Sequence, residues 1–147
     1  MMNELSIALQ LISVLQNHLN EYLTKDYQIN KDQVVMGGPD VDKAPFPVTI
    51  YVEPNYSQME GQGTTSDKID FRLTVWVICK RDTQTNLTGK LFIYYNSIYY
   101  LLRNNTSLDG YIDKTDVLNA EFDLAVEANP NVRGADIQLS ITFEKDF

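Results

Sequence analysis

Two runs of strict alternation constrain this chain more than anything else in it. Ile69, Phe71, Leu73, Val75, Val77 and Cys79 alternate with Asp70, Arg72, Thr74, Trp76 and Ile78. Near the C-terminus Ala135, Ile137, Leu139, Ile141 and Phe143 alternate with Asp136, Gln138, Ser140, Thr142 and Glu144. Successive side chains of a strand point to opposite faces, so these patterns specify an antiparallel sheet with one apolar and one polar face. The apolar face needs a cover, and two helical segments supply it.

The first helix is predicted over residues 3–24. Leu5, Ala8, Leu9, Ile12, Leu15, Leu19, Tyr22 and Leu23 share one face, which Ile7, Leu11 and Val14 widen. The apolar arc spans on the order of 200°, against roughly 100° for an ordinary surface helix, so the helix is expected to meet more than one neighbour. A second helix is predicted from Asn86 to Arg103, with a polar cap region around Thr85 and Asn86 and with Tyr94, Tyr95 and Tyr99 turned mostly to the core. Ile93 and Tyr100 fall on its polar side.

Between these elements, residues 30–47 read as a link with a short strand at Gln33–Met36. Val48–Glu53 is a strand that Pro54 is expected to end, followed by a polar loop over Asn55–Ser66. After the second helix come an extended segment at Tyr111–Leu118 and a strand at Ala120–Ala128. In the latter Phe122, Leu124 and Val126 oppose Glu121, Asp123 and Glu127. A turn at Asn129-Pro130-Asn131 leads to the last strand, from Gly134. The expected fold is α+β: an antiparallel sheet of two hairpins with two helices on one face, in the order αββαββ, as a single domain over 1–147.

The composition narrows function chiefly by exclusion. A net charge of −8, from 12 basic and 20 acidic residues, gives no footprint for tight binding to the phosphates of nucleic acid. The one cysteine, Cys79, rules out an internal disulfide and suits a reducing compartment. No run approaches the roughly 20 apolar residues of a membrane span, and the N-terminus lacks the pattern of a signal peptide, so maturation in the cytosol is expected, with no membrane partner.

Catalytic chemistry finds little support. His18 is the sole histidine and is expected to be a satisfied or half-exposed structural residue; Cys79 falls on the buried face of its strand. Asp40, Asp42, Asp109, Asp113 and Asp116 lie near glycines without the spacing of a Ca²⁺ loop, and no phosphate-binding, nucleophile-elbow or zinc-protease motif occurs. No enzyme activity, cofactor or metal is expected. A carboxylate-based enzyme using Asp40, Asp42, Asp113 or Asp116 would need a concave pocket to gather them, and a regulatory binding module would need a partner groove. Trp76 and Ile78 on the polar sheet face, with Ile93 and Tyr100 on the second helix, are instead candidate protein contacts.

The element order, the hairpin with a long polar loop (Val48–Lys80), and the closing hairpin ending Gly134-Ala135-Asp136-Ile137-Gln138-Leu139-Ser140-Ile141-Thr142-Phe143-Glu144 make the chain similar to the tail terminator, or tail-completion, family of tailed phages. The likeness covers nearly the whole chain and lies in order and size, not in an invariant motif. It implies a virion structural protein, assembled in the host cytoplasm. Such a protein forms a homo-oligomeric ring, commonly a hexamer, that caps the tail tube and joins it to the head–tail connector. Tyr56, Met59 and Glu60 on the long loop become candidate contacts. DNA would pass through the ring without specific binding, and Glu121, Asp123, Glu127, Asp136 and Glu144 become a candidate acidic lumen, or else a solvent face. Another neck protein, or the tube cap of a contractile injection apparatus, fits the same pattern.

Overall fold

The computed structural model describes residues 2–40, 47–62, 66–80, 83–123 and 131–146, with the side chains of 60–62, 84, 85 and 123 left aside. Helix α1 (Glu4–His18) starts at a reciprocal capping box: the Asn3 side chain accepts from the Ser6 N–H at 2.9 Å, and the Asn3 N–H donates to Ser6 Oγ at 3.0 Å. It is shorter than the 3–24 expected, because the chain tightens into a 3₁₀ turn at Leu19–Tyr22. Two further 3₁₀ turns lead to strand β1 (Val34–Met36). Strands β2 (Val48–Gln62) and β3 (Ser66–Lys80), helix α2 (Gln84–Asn104), and strands β4 (Lys114–Asp123) and β5 (Val132–Asp146) follow. No helix of the described residues is long and apolar enough to cross a membrane.

The five strands form one sheet in the order β1-β2-β3-β5-β4. The β2–β3, β3–β5 and β4–β5 pairs are antiparallel, but β1 runs parallel to β2, so the sheet is mixed and not purely antiparallel as the alternation implied. A strand of three residues is too short to declare its direction through periodicity.

Two local expectations are corrected. Pro54 does not end β2: the strand continues to Gln62, still paired with β3, across a register shift between Pro54 and Tyr56. Since β1 reaches only as far as Val52, Pro54 has no strand on its far side among the described residues, and a missing N–H there costs no ladder hydrogen bond. Most of the expected loop Asn55–Ser66 is therefore strand. It lacks an apolar pattern because Tyr56, Gln58 and Met59 are all exposed, and backbone pairing needs no buried side chain. Likewise β4 is one strand, beginning at Lys114 and broken by a bulge between Val117 and Asn119; Leu124, Val126, Glu127 and most of the expected Asn129-Pro130-Asn131 turn lie outside the described residues.

The main core joins Ile7, Leu11 and Leu15 of α1 and Leu87, Leu91 and Ile98 of α2 to the apolar positions of the sheet, with Phe71, Leu73, Val75, Leu139, Ile141 and Phe143 all at most 2% exposed. Cys79 lies in this core, and burial pushes its thiol up to about 12, so it stays a protonated packing residue. Tyr94 packs there too, its hydroxyl donating to the Tyr27 carbonyl at 2.9 Å. Helix α1 lies over β1 and β2, and α2 over β3, β5 and β4. Among the described residues the opposite, outer face of the sheet carries no helix.

Candidate protein-protein interfaces

The two lateral edges of the sheet differ in chemistry. On the α1 side, Leu5 and Leu9 are 63% and 52% exposed although both belong to the apolar arc. Their flank is fixed by two tethers. Gln16, within about 40° of both on the helical wheel, donates to the Lys31 carbonyl at 2.9 Å just before β1, whereas Gln10, on the far side of the helix, donates to the Leu108 carbonyl. Leu5 and Leu9 thus face the β1–β2 edge, where Met36 is also exposed. The excess width of the arc signalled unpartnered surface, though not which residues would carry it.

On the β4 side the exposed surface is aromatic. Phe92 of α2 and Phe122 of β4 meet at 4.8 Å between ring centroids, Tyr95 packs edge-on against Phe122 at 4.9 Å, and Tyr99 continues the row at 6.3 Å from Tyr95. Phe92 and Phe122 remain partly open to solvent. Tyr100 is 55% exposed and stacks edge-on against Tyr99. Ile93, its companion in the sequence reading, is half-buried against the main core.

The outer sheet face is ordered in rows. Val35, Tyr51, Trp76, Asp136 and Glu121 are successive cross-strand neighbours, as are Glu53, Thr74, Gln138 and Asn119 in the next row. Ile78, Tyr51 and Val132 form a small second cluster with Val35 and Trp76. Ile78 is only 2% exposed, so the chain itself covers this expected contact. The bulges of β2 and β4 flank the adjoining Pro54–Leu73–Leu139–Val117 row, that of β4 on the side of the second row and that of β2 on the side away from it. Between them is a cavity of about 410 Å³ lined by Glu53, Asn55, Tyr56, Arg72, Thr74, Trp76, Leu118, Asn119 and Gln138. The structure thus brings Tyr56 and Trp76 together at one site; Met59 is 72% exposed further along β2, and the Glu60 side chain lies outside the described residues.

Of the acidic candidates, Glu121 and Glu144 are exposed but far apart, Glu144 pairing across from Lys68. Asp136 accepts the Glu121 N–H at 3.1 Å, and its partial burial raises its pKa. The Asp123 backbone pairs with Gly134, while its side chain and the whole of Glu127 lie outside the described residues. The carboxylates considered for catalysis are not gathered: Asp40 lies beside the β1 edge, whereas Asp113 and Asp116 lie at the β4 edge, with Asp116 3.3 Å from Lys114; Asp42 is outside the described residues.

His18 is tethered at both ring nitrogens. Its Nε2 lies 3.0 Å from Asp109 Oδ2 and its Nδ1 3.5 Å from Glu21 Oε1. The hydrogen bond to Asp109 raises its pKa, so the pair contributes fully below the unfolded-state value and is lost as pH rises through the folded one. A proton NMR titration is expected to place His18 above the ordinary histidine value and Asp109→Asn to lower it, with the Glu21 contact still raising it; equal midpoints in both proteins would refute the pairing.

No family model and no curated protein matches the sequence. Among solved structures, the chain is similar to one described as the sheath/tube terminator, in the extended state, of the extracellular contractile injection system PVC. The match has a TM-score of 0.51 at 10% identity and covers 95% of this chain but 57% of that one. At this identity the likeness is one of fold: nearly the whole of this α+β chain follows part of a larger terminator protein.

Proposed function

We propose that this chain is a tail terminator, a non-enzymatic structural protein of a tailed particle. On this reading it is a single domain over 1–147 that associates with itself into a ring, a hexamer by analogy with the family it resembles, caps the tail tube and meets the connector above it. The observation that carries the reading is the pair of unlike apolar edges, aliphatic on the α1 side and aromatic on the β4 side. A contact between two different patches is heterologous, and when its rotation closes it builds a ring. The terminator fold of the solved structure supports the same reading.

In such a ring Glu121, Asp136 and Glu144, with Asp123 and Glu127, are the candidates for the surface past which DNA moves, since negative charge there would keep DNA from adhering. The particle would be assembled in the host cytoplasm. The fold likeness also favours a second reading, the tube cap of a contractile injection apparatus. Adding the purified protein to isolated tubes and imaging their ends separates these readings. Capped ends on sheathless tubes support the phage terminator, and capped ends only where a sheath is present support the contractile one. Uncapped ends on both would overturn the proposal.

A further inference from the structure

The cavity on the outer sheet face is built rather than incidental. The two bulges lie on either side of the Leu73–Leu139 pair, and each places its extra residue, Asn55 or Leu118, in the wall. Trp76 is held in place because its indole N–H donates to Glu53 Oε1 at 3.2 Å. The other carboxylate oxygen of Glu53 packs against Gly38 so closely that a Cβ there would lie 2.2 Å from it. Thr74 Oγ1 faces two amide oxygens, Asn55 Oδ1 at 2.8 Å and Gln138 Oε1 at 3.1 Å. One hydroxyl proton serves only one of them, which leaves the other an acceptor for an outside donor.

The charge of the wall selects the donor. Among the described residues of the wall Arg72 is the one cation, and that guanidinium is forked onto Asp70 with contacts of 2.9 to 3.1 Å. Glu53 then sets the sign of the wall. Aromatic rings beside a carboxylate attract a cation, and a planar guanidinium both stacks on rings and donates in several directions. A surface lining a DNA path has no need of Trp76, Tyr56 and Leu118 around a concavity. Docking and lumen are exclusive assignments for this part of the face, and the apolar walls favour docking.

We infer that the cavity formed by Glu53, Tyr56, Thr74, Trp76, Leu118 and Gln138 is a docking site for an arginine side chain presented by a neighbouring protein. That the neighbour belongs to a tail assembly rests on the proposed function; the chemistry of the cavity does not. The cavity falls within the size range of small-ligand sites, with room for one long side chain and its flanking backbone.

Trp76 is the sole tryptophan, so its indole N–H gives a single side-chain signal by which to follow occupancy. The probes are N-acetylarginine amide, its neutral isostere N-acetylcitrulline amide, and methyl glucoside, each titrated into the full chain by ¹⁵N-correlated NMR. Arginine amide is expected to shift the indole signal saturably, with citrulline amide weaker by about twofold to fivefold, the range of a partly exposed cation–π contact. Glu53→Gln is expected to weaken the arginine probe by a similar factor. Gly38→Ala, whose Cβ displaces the Glu53 carboxylate, should do the same without touching the probe. Equal binding of citrulline amide, binding of the glucoside in preference to arginine, or no shift at all would each overturn the inference. Because the assay uses the isolated protein, such a failure would leave the capping experiment untouched, and failed capping would leave this site standing.

Discussion

Replacing Leu5 and Leu9 together with glutamate is expected to abolish self-association while leaving the fold intact. Both side chains are more than half exposed, so the monomer loses little packing, and its stability should change by no more than about 0.5 kcal/mol. In a ring contact, however, each glutamate would be desolvated against the aromatic edge of the next copy, and the association constant is expected to fall by at least about 100-fold. Phe92→Glu, on the opposite edge, should have the same effect by itself. The informative experiment mixes the two variants, with sedimentation as the readout. Each retains the edge that the other has lost, so a heterologous contact predicts a mixed dimer and nothing larger, whereas each variant alone stays monomeric. If either variant alone dimerises through its intact patch, the contact is isologous and the ring geometry is wrong.

The second large effect is on stability. Asp70 is 4% exposed on the outer sheet face, where it receives the Arg72 fork and the Ser140 hydroxyl. Asp70→Ala removes the acceptor of the Arg72 fork and of the Ser140 hydroxyl, a change that costs several kcal/mol when the pair is fully buried. Arg72 keeps 31% of its side-chain surface exposed, which reduces the expected loss to about 2–3 kcal/mol, or roughly 10 °C in Tm for a chain of this size. The Arg72 fork also lowers the Asp70 pKa. Its contribution is therefore complete above the unfolded-state value near 3.9 and is lost as pH falls through the lower folded value. The gap between wild type and Asp70→Ala should thus be full at pH 7 and narrow only in acid. A gap that stays constant down to pH 2 would mean the ion pair contributes nothing.

How much was legible in the sequence follows from which interactions write a periodic signal. The β3 and β5 patterns named their strands and their buried faces because the main core selects every second residue. The extension of β2 past Pro54 was invisible, since that stretch is exposed and only backbone pairing holds it. Strand β1 gave a hint but not its direction. Trp76 stands out on the polar face of its strand and Tyr56 only through the family resemblance, yet nothing in the order of the chain says that two bulges, 63 residues apart at Asn55 and Leu118, would close a cavity around them. Leu5 and Leu9 were misplaced for a related reason: a helical wheel shows that an arc is too wide, while only the tethers of Gln10 and Gln16 show which margin is left uncovered.

The most direct test of the terminator reading is electron microscopy of particles produced without this chain, followed by addition of the purified protein. Overlong or unjoined tails that regain normal length or join to heads when the protein is supplied are the predicted result. Tails of normal length, normally joined, in its absence would contradict the reading and leave the apolar edges to some other partner.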